Sequence, residues 1–142
     1  MTDKAIDANE YLITGQGWIP EETKPEDWVF EDTLMPRIAS AGVAGDVDLR
    51  PFSSPVHSQR HTSSCVAQAV VKALEIKRIQ QFGRDAHVDL SRLFVYYLAR
   101  ELMFPSRVNK DDGTNLGIAC DVLRRFGVPP ETDWGWDPNK VY

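Results

Sequence analysis

The sequence is poor in the features that most small secreted, metal-binding or nucleotide-binding domains depend on. It holds two cysteines, Cys65 and Cys120, in 142 residues. A small secreted domain usually carries more, as a disulfide framework. The local contexts of the two differ, so both read as thiols, which suits a reducing compartment. No CxxC or HExxH pattern occurs. The three histidines, His57, His61 and His87, are scattered, which argues against a metal centre. There is no glycine-rich phosphate loop, so nothing points to a nucleotide. No Lys/Arg block stands out and the net charge is −5, which argues against nucleic acid as a partner. No run approaches the ~20 apolar residues of a membrane span. The first residues, MTDKAIDANEYL, have no apolar core of a secretory signal. The chain therefore reads as cytoplasmic, without a membrane partner, metal or organic cofactor. No internal repeat is present.

What is present is 42% apolar residues, ordinary for a globular domain with a core of its own. Residues 1–45 differ from the rest. They are rich in Asp, Glu, Pro and Thr, with isolated aromatics at Tyr11, Trp18, Trp28 and Phe30. Gly15, Gly17, Pro20 and Pro25 break any long helix, and a weak helical option lies around Leu34 to Ala39. Two readings fit this stretch equally: an extended arm pinned to a body by its aromatics, or a disordered tail.

The body starts near Asp46. Val47-Asp48-Leu49-Arg50 alternates like a short strand that Pro51 ends. Residues 52–62 read as a loop. A first helix is expected from about Ser64 to Phe82, capped by Ser63 or Ser64 and stopped by Gly83. Its start, Cys65 to Val71, is apolar on nearly every side and should be buried; Lys77 to Gln81 should emerge into solvent. A second helix is expected from about Ser91 to Met103, with Leu90, Leu93, Phe94, Tyr97, Leu98 and Leu102 as its apolar stripe. A third starts after Thr114 as N-cap and ends at Phe126, with Gly127 and Pro129-Pro130 as stop signals. Its stripe is Leu116, Ala119, Cys120 and Leu123. Trp134 and Trp136, in a closing turn, read as core plugs.

The chemistry concentrates at Gln59-Arg60-His61-Thr62-Ser63-Ser64-Cys65. A cysteine in the first turn of a helix sees the positive end of the macrodipole, which favours the thiolate. Gln59, six residues upstream, can bring its side-chain amide beside the Cys65 backbone N–H. Two donors converging next to a nucleophile make an oxyanion hole for acyl transfer.

This pattern resembles the papain-like cysteine peptidases, which place Gln and Cys at this spacing with the Cys opening the central helix. Further landmarks are similar and in order. Val47-Asp48-Leu49-Arg50-Pro51 looks like the family's mature N-terminal strand. Glu75 lies where the family often has Glu. Leu90-Ser91-Arg92-Leu93-Phe94 resembles its Leu-Ser helix opening. Asp112-Gly113-Thr114, then Phe126-Gly127-Val128-Pro129, resembles its glycine loop, helix and Tyr-Gly turn. Trp134-Gly135-Trp136-Asp137-Pro138 matches a later aromatic turn. The closest flavour is the disulfide-poor bacterial and phage branch, and Gly17-Trp18-Ile19-Pro20 looks like a pre-domain motif of that branch. Two departures are local: Val66 stands where an aromatic is usual, and Thr62 where a disulfide cysteine stands.

The resemblance implies an α+β fold, of which this chain supplies the helical left-hand domain (46–142) and a short N-terminal strand, after an extension (1–45). It implies a cysteine peptidase with Cys65 as nucleophile and Gln59 as oxyanion donor. Gly113, Asp112 and Ser64 would border a peptide or protein substrate. Gly113 reads either as a turn glycine or as the glycine along which substrate backbone pairs. The general-base His and its Asn are expected from a missing C-terminal half. His61 is the histidine nearest the thiol in sequence, but it would need a sharp fold-back and reads as exposed, as do His57 and His87. An apolar face around Cys65, Val66 and Trp136 should invite that half or self-association. The other reading is an inactive half-peptidase that binds peptides or proteins.

Overall fold

The computed structural model describes residues 17–25 and 46–141. Tyr11, Trp28, Phe30 and the helical option at Leu34 to Ala39 lie outside the described residues. Three helices form the body: α1 (Cys65–Phe82), α2 (Arg92–Met103) and α3 (Leu116–Phe126). All three pairs pack against each other around Val66, Val70, Val71, Leu93, Val95, Tyr96, Ala99, Ala119 and Val122.

The ends of the helices follow local chemistry. Ser91 caps α2 by accepting from the Phe94 N–H at 3.1 Å. Asn115, rather than Thr114, caps α3, accepting from the Ile118 N–H at 2.8 Å. Ser64 occupies the N-cap position of α1 but its hydroxyl does not cap; it bonds Thr62 Oγ1 at 2.8 Å. Gly83 and Gly127 end α1 and α3 with φ of 87° and 72°, a region that glycine enters without a steric penalty.

The expected strand at Val47–Arg50 is not formed. Residues 46–49 are exposed and irregular, and Arg50–Phe52 makes a 3-10 turn. Asp48 closes this turn by accepting from the Arg50 backbone N–H at 2.9 Å and its guanidinium at 2.8 Å. Among the described residues β pairing is limited to two isolated bridges, Trp18 with Thr114 and Leu90 with Pro130.

The apolar stripe of α2 is also not the expected one. Leu90 and Leu93 are buried, but Phe94, Tyr97 and Leu98 are half-buried and Leu102 is exposed. The buried face is Arg92, Val95, Tyr96, Ala99 and Arg100. It holds two arginines because each is paired. Arg92 donates to both Glu75 oxygens at 3.1 and 3.0 Å, to Asp89 at 3.0 Å and to the Leu90 carbonyl at 2.9 Å. Glu75 also accepts from the Leu90 N–H at 3.0 Å and from the Ser54 hydroxyl. Arg100 lies over the Tyr96 ring and donates to the Lys110 and Val141 carbonyls, both at 2.6 Å. Buried charges persist only when paired and hydrogen-bonded in this way.

On α3, Ala119 and Val122 are buried while Leu116 and Cys120 are exposed. Cys120 is therefore not a core residue. It faces residues 21–24, which cross α3 beside Leu116 and Gly117. Trp136 is half-buried against the core. Trp134 is a surface plate instead, edge-on to Phe94 at 5.6 Å and tilted on Tyr97 at 5.8 Å.

Candidate active site

The loop before α1 closes on itself. Thr62 Oγ1 donates to the Gln59 carbonyl at 2.7 Å, and Gln59 Nε2 donates to the Thr62 carbonyl at 2.8 Å. Arg60, between them, takes φ 57°, uncommon for a residue with a side chain. His61 is exposed on this turn. The loop delivers Ser63 and Ser64 to the helix start, where Cys65 is the first helical residue and half-buried.

Burial pushes the Cys65 thiol above its ordinary value, and the backbone N–H groups of Val66 and Cys65 offset this only in part. The sequence argument expected the opposite direction. A thiol in the first turn does meet N–H donors, but desolvation of the thiolate outweighs them here. The balance at Cys65 therefore favours the protonated thiol.

Two flanks meet at Cys65. On one side the sequence joins loop 53–58 to α1 around a cavity of about 290 Å³, lined by Val56, His57, Cys65, Gln68, Ala69 and Lys72. His57 is half-buried and bonds Asp89 through Nε2 at 3.2 Å, so it is not a free surface histidine. His57 Nδ1 and both amide atoms of Gln68 are buried without a hydrogen-bond partner among the described residues. The exposed apolar groups of this flank are Val56 and Ala69; Val66 turns into the core. Of the apolar face expected at Cys65, Val66 and Trp136, Val66 is buried and Cys65 and Trp136 are half-buried.

On the other side stands the loop 110–114. Gly113 is buried with φ 79°, and its N–H donates to the Tyr96 hydroxyl at 3.2 Å. Asp112 is half-buried and paired with Arg107 at 2.5 Å. Asp111 accepts from the Ser63 N–H with both oxygens, at 3.0 and 2.9 Å, and so links this loop to the one bearing Cys65. Between the two loops runs the chain's own segment Gly17–Ile19. The Thr114 N–H donates to the Gly17 carbonyl at 2.8 Å, and the Ile19 N–H to the Thr114 carbonyl at 2.9 Å. A Cβ on Gly17 would overlap the Ser63 carbonyl, and one on Gly113 would overlap Gly17. Only two glycines allow backbones to pass this closely. Residues 17–19 are thus pinned by their backbone; Trp18 is 56% exposed.

The candidates from sequence do not all fall in one place. Cys65 and its loop, with Gln59, stand at one wall, Gly113 and Asp112 at the other. Ser64 is fully buried with its hydroxyl engaged by Thr62, so it shapes the loop and is not open to a substrate. Gln68, Asp111 and Tyr96 also stand at the site, without a role assigned from sequence. Gln68 is three residues beyond Cys65, one helical turn along the same face, and that spacing was a usable signal.

No family model matches the chain. A crystal structure of xylellain, a cysteine protease from Xylella fastidiosa, superposes with a TM-score of 0.72 at 31% identity, over 87% of this chain and 44% of that one. The chain carries the helical half of the papain-like cysteine peptidase fold. An uncharacterized peptidase C1-like protein of Acanthamoeba polyphaga mimivirus is 32% identical over 77 residues, 54% of this chain. The match spans 24% of that relative's length, so this papain-like chain covers under half of either protein it resembles. The likeness is one of overall fold, over 87% of the chain. Among the described residues no helix of this papain-like half is long and apolar enough to cross a membrane.

Proposed function

We propose that this chain is the nucleophile-bearing half of a cysteine peptidase and that Cys65 attacks the scissile peptide carbonyl. The observation that carries the reading is the position of Cys65. It is the first residue of the central helix, with the Gln59 loop before it and the Gly113 loop across from it, in a fold 31% identical to a cysteine protease. The thiol proton passes to an imidazole, and the thiolate adds to the carbonyl carbon. Gln59 Nε2 and the Cys65 N–H hold the oxyanion. A primary amide has two N–H donors; the one held by the Thr62 carbonyl fixes the head, and the other is free for the oxyanion. Collapse expels the amine, which takes the proton, and leaves a thioester for water to hydrolyse. Gly113 and Asp112 border the peptide.

The imidazole and its orienting Asn come from the C-terminal half of the papain-like fold, outside these 142 residues. Its route to the thiol is the open flank beside Val56, Gln68 and Ala69. The raised thiol value supports this division, because Cys65 becomes a thiolate only once a base or cation joins it. The test is peptide hydrolysis by the chain with the second half supplied in cis or in trans. Hydrolysis that an epoxide thiol inhibitor abolishes, and that Cys65→Ala lacks, supports the reading. Equal rates for Cys65→Ala and the parent would overturn it.

A further inference from the structure

Asp111 was not singled out by any sequence pattern, yet it stands at the centre of a hydrogen-bond chain that crosses the site. Both its oxygens accept from the Ser63 N–H, two residues before the thiol. Its Oδ1 also accepts from the Tyr96 hydroxyl at 2.5 Å. The same hydroxyl oxygen accepts from the Gly113 N–H at 3.2 Å. One unbroken path therefore runs from the loop bearing Cys65, through a carboxylate and a phenol, to the glycine loop opposite. Tyr96 is fully buried on α2, and Arg100 over its ring grips the Lys110 carbonyl, so the phenol cannot drift without moving the core.

We propose that Asp111, relayed by Tyr96, is a positioning residue that holds the Cys65 loop at a fixed distance from the Gly113 loop and keeps the thiol in its half-buried seat. This rests on the reading of Cys65 as nucleophile. The bond from Tyr96 is directional. Burial and the Asp111 charge hold the phenol well above its ordinary value, so it stays a donor to the carboxylate at any ordinary pH. The slot width set by this link is what admits Gly17 and rejects a side chain there.

The test compares Asp111→Asn and Tyr96→Phe with the parent chain. Tyr96→Phe keeps the ring and leaves the direct Asp111–Ser63 bond in place. Amide exchange by NMR at Ser63 and Gly113 reads the link. Site-resolved alkylation of Cys65 by iodoacetamide across pH, with Cys120 as internal reference, reads the thiol's seat. The expected result is that both amides exchange faster together in each variant, by about ten-fold or more, because each variant removes or weakens the Tyr96–Asp111 bond to a charged group and the two loops it ties then open together. The Cys65 profile should move to lower pH, because a loosened loop resolvates the thiolate, while core amides of α1 stay protected. An unchanged Ser63 amide in Tyr96→Phe, or an unmoved Cys65 profile in both variants, would overturn the proposal. If Asp111→Asn fails to fold, Tyr96→Phe decides by the same criteria. Failure of the nucleophile reading would show separately, as peptide hydrolysis that survives Cys65→Ala.

Discussion

Cys65 and Cys120 are both thiols whose ordinary value is pushed up, but for different reasons. For Cys65 the cause is burial; for Cys120 it is burial joined by the charges of Glu21 and Asp121. Because Cys120 is exposed, its labelling by iodoacetamide should be at least as fast as that of Cys65 at pH 7. Cys65 labelling should climb only as pH passes above the usual thiol value of about 8.5. A Cys65 rate already level below pH 7 would contradict the assignment of a neutral thiol. Once the base is present, Gln59→Ala should lower turnover by roughly 10²–10³-fold, the cost of one oxyanion donor, with little change in substrate binding. Steady-state kinetics on that variant checks it; unchanged turnover would reduce Gln59 to a loop residue. Asp89 contributes to the acid response. Burial raises its carboxyl, but Arg92 and His57 outweigh burial and bring it below the ordinary value. Its contribution to stability is full above the unfolded value of about 3.9 and is lost as pH falls through the lower folded value. In urea unfolding, Asp89→Asn should therefore flatten the loss of stability below pH 4.

The three helices were legible because their signals are local: an apolar run, a cap, a glycine stop. The start of α1 at Cys65 and the ends at Phe82, Met103 and Phe126 all agree with the sequence reading. Faces were less legible. Hydrophobic periodicity ranks Arg92 and Arg100 as solvent-facing, yet both are 1% exposed, because their partners Glu75, Lys110 and Val141 are distant in sequence. Arg92→Met, which strands Glu75 without a cation, should cost about 3–5 kcal/mol, and pairing it with Glu75→Leu should recover much of that. Thermal or urea unfolding of the single and double variants measures it. The strand at Val47–Arg50 failed for a related reason. Strand alternation is visible locally, but a strand needs a neighbour, and Asp48 instead folds Arg50 back on itself. The arm is the element whose site role was least visible. Gly17→Ala should lift it from the slot, and the Thr114 amide, bonded to Gly17, should lose its exchange protection. Retained protection would mean that the slot yields more readily than its glycines imply.

At the scale of the whole molecule, a helical half-fold presents a thiol between two flanks. One flank is walled by Gly113 and crossed by the segment Gly17–Ile19; the other is an open cavity of about 290 Å³ with polar atoms at His57 and Gln68 that have no partner among the described residues. Gln59 and Cys65 lie within seven consecutive residues, so a sequence pattern can name them as a pair. The Asp111–Tyr96 link was not, because it joins loops 48 positions apart through a residue on a third element. The central claim is that Cys65 is a nucleophile completed by a second half of the papain-like fold. It is tested most directly by measuring peptide hydrolysis by the 142-residue chain alone, by the chain with that half added, and by the Cys65→Ala form of each. The account predicts no Cys65-dependent cleavage by the chain alone and inhibitor-sensitive, Cys65-dependent cleavage once the half is present. Cys65-dependent cleavage by the chain alone, or none in the presence of a folded second half, would contradict it.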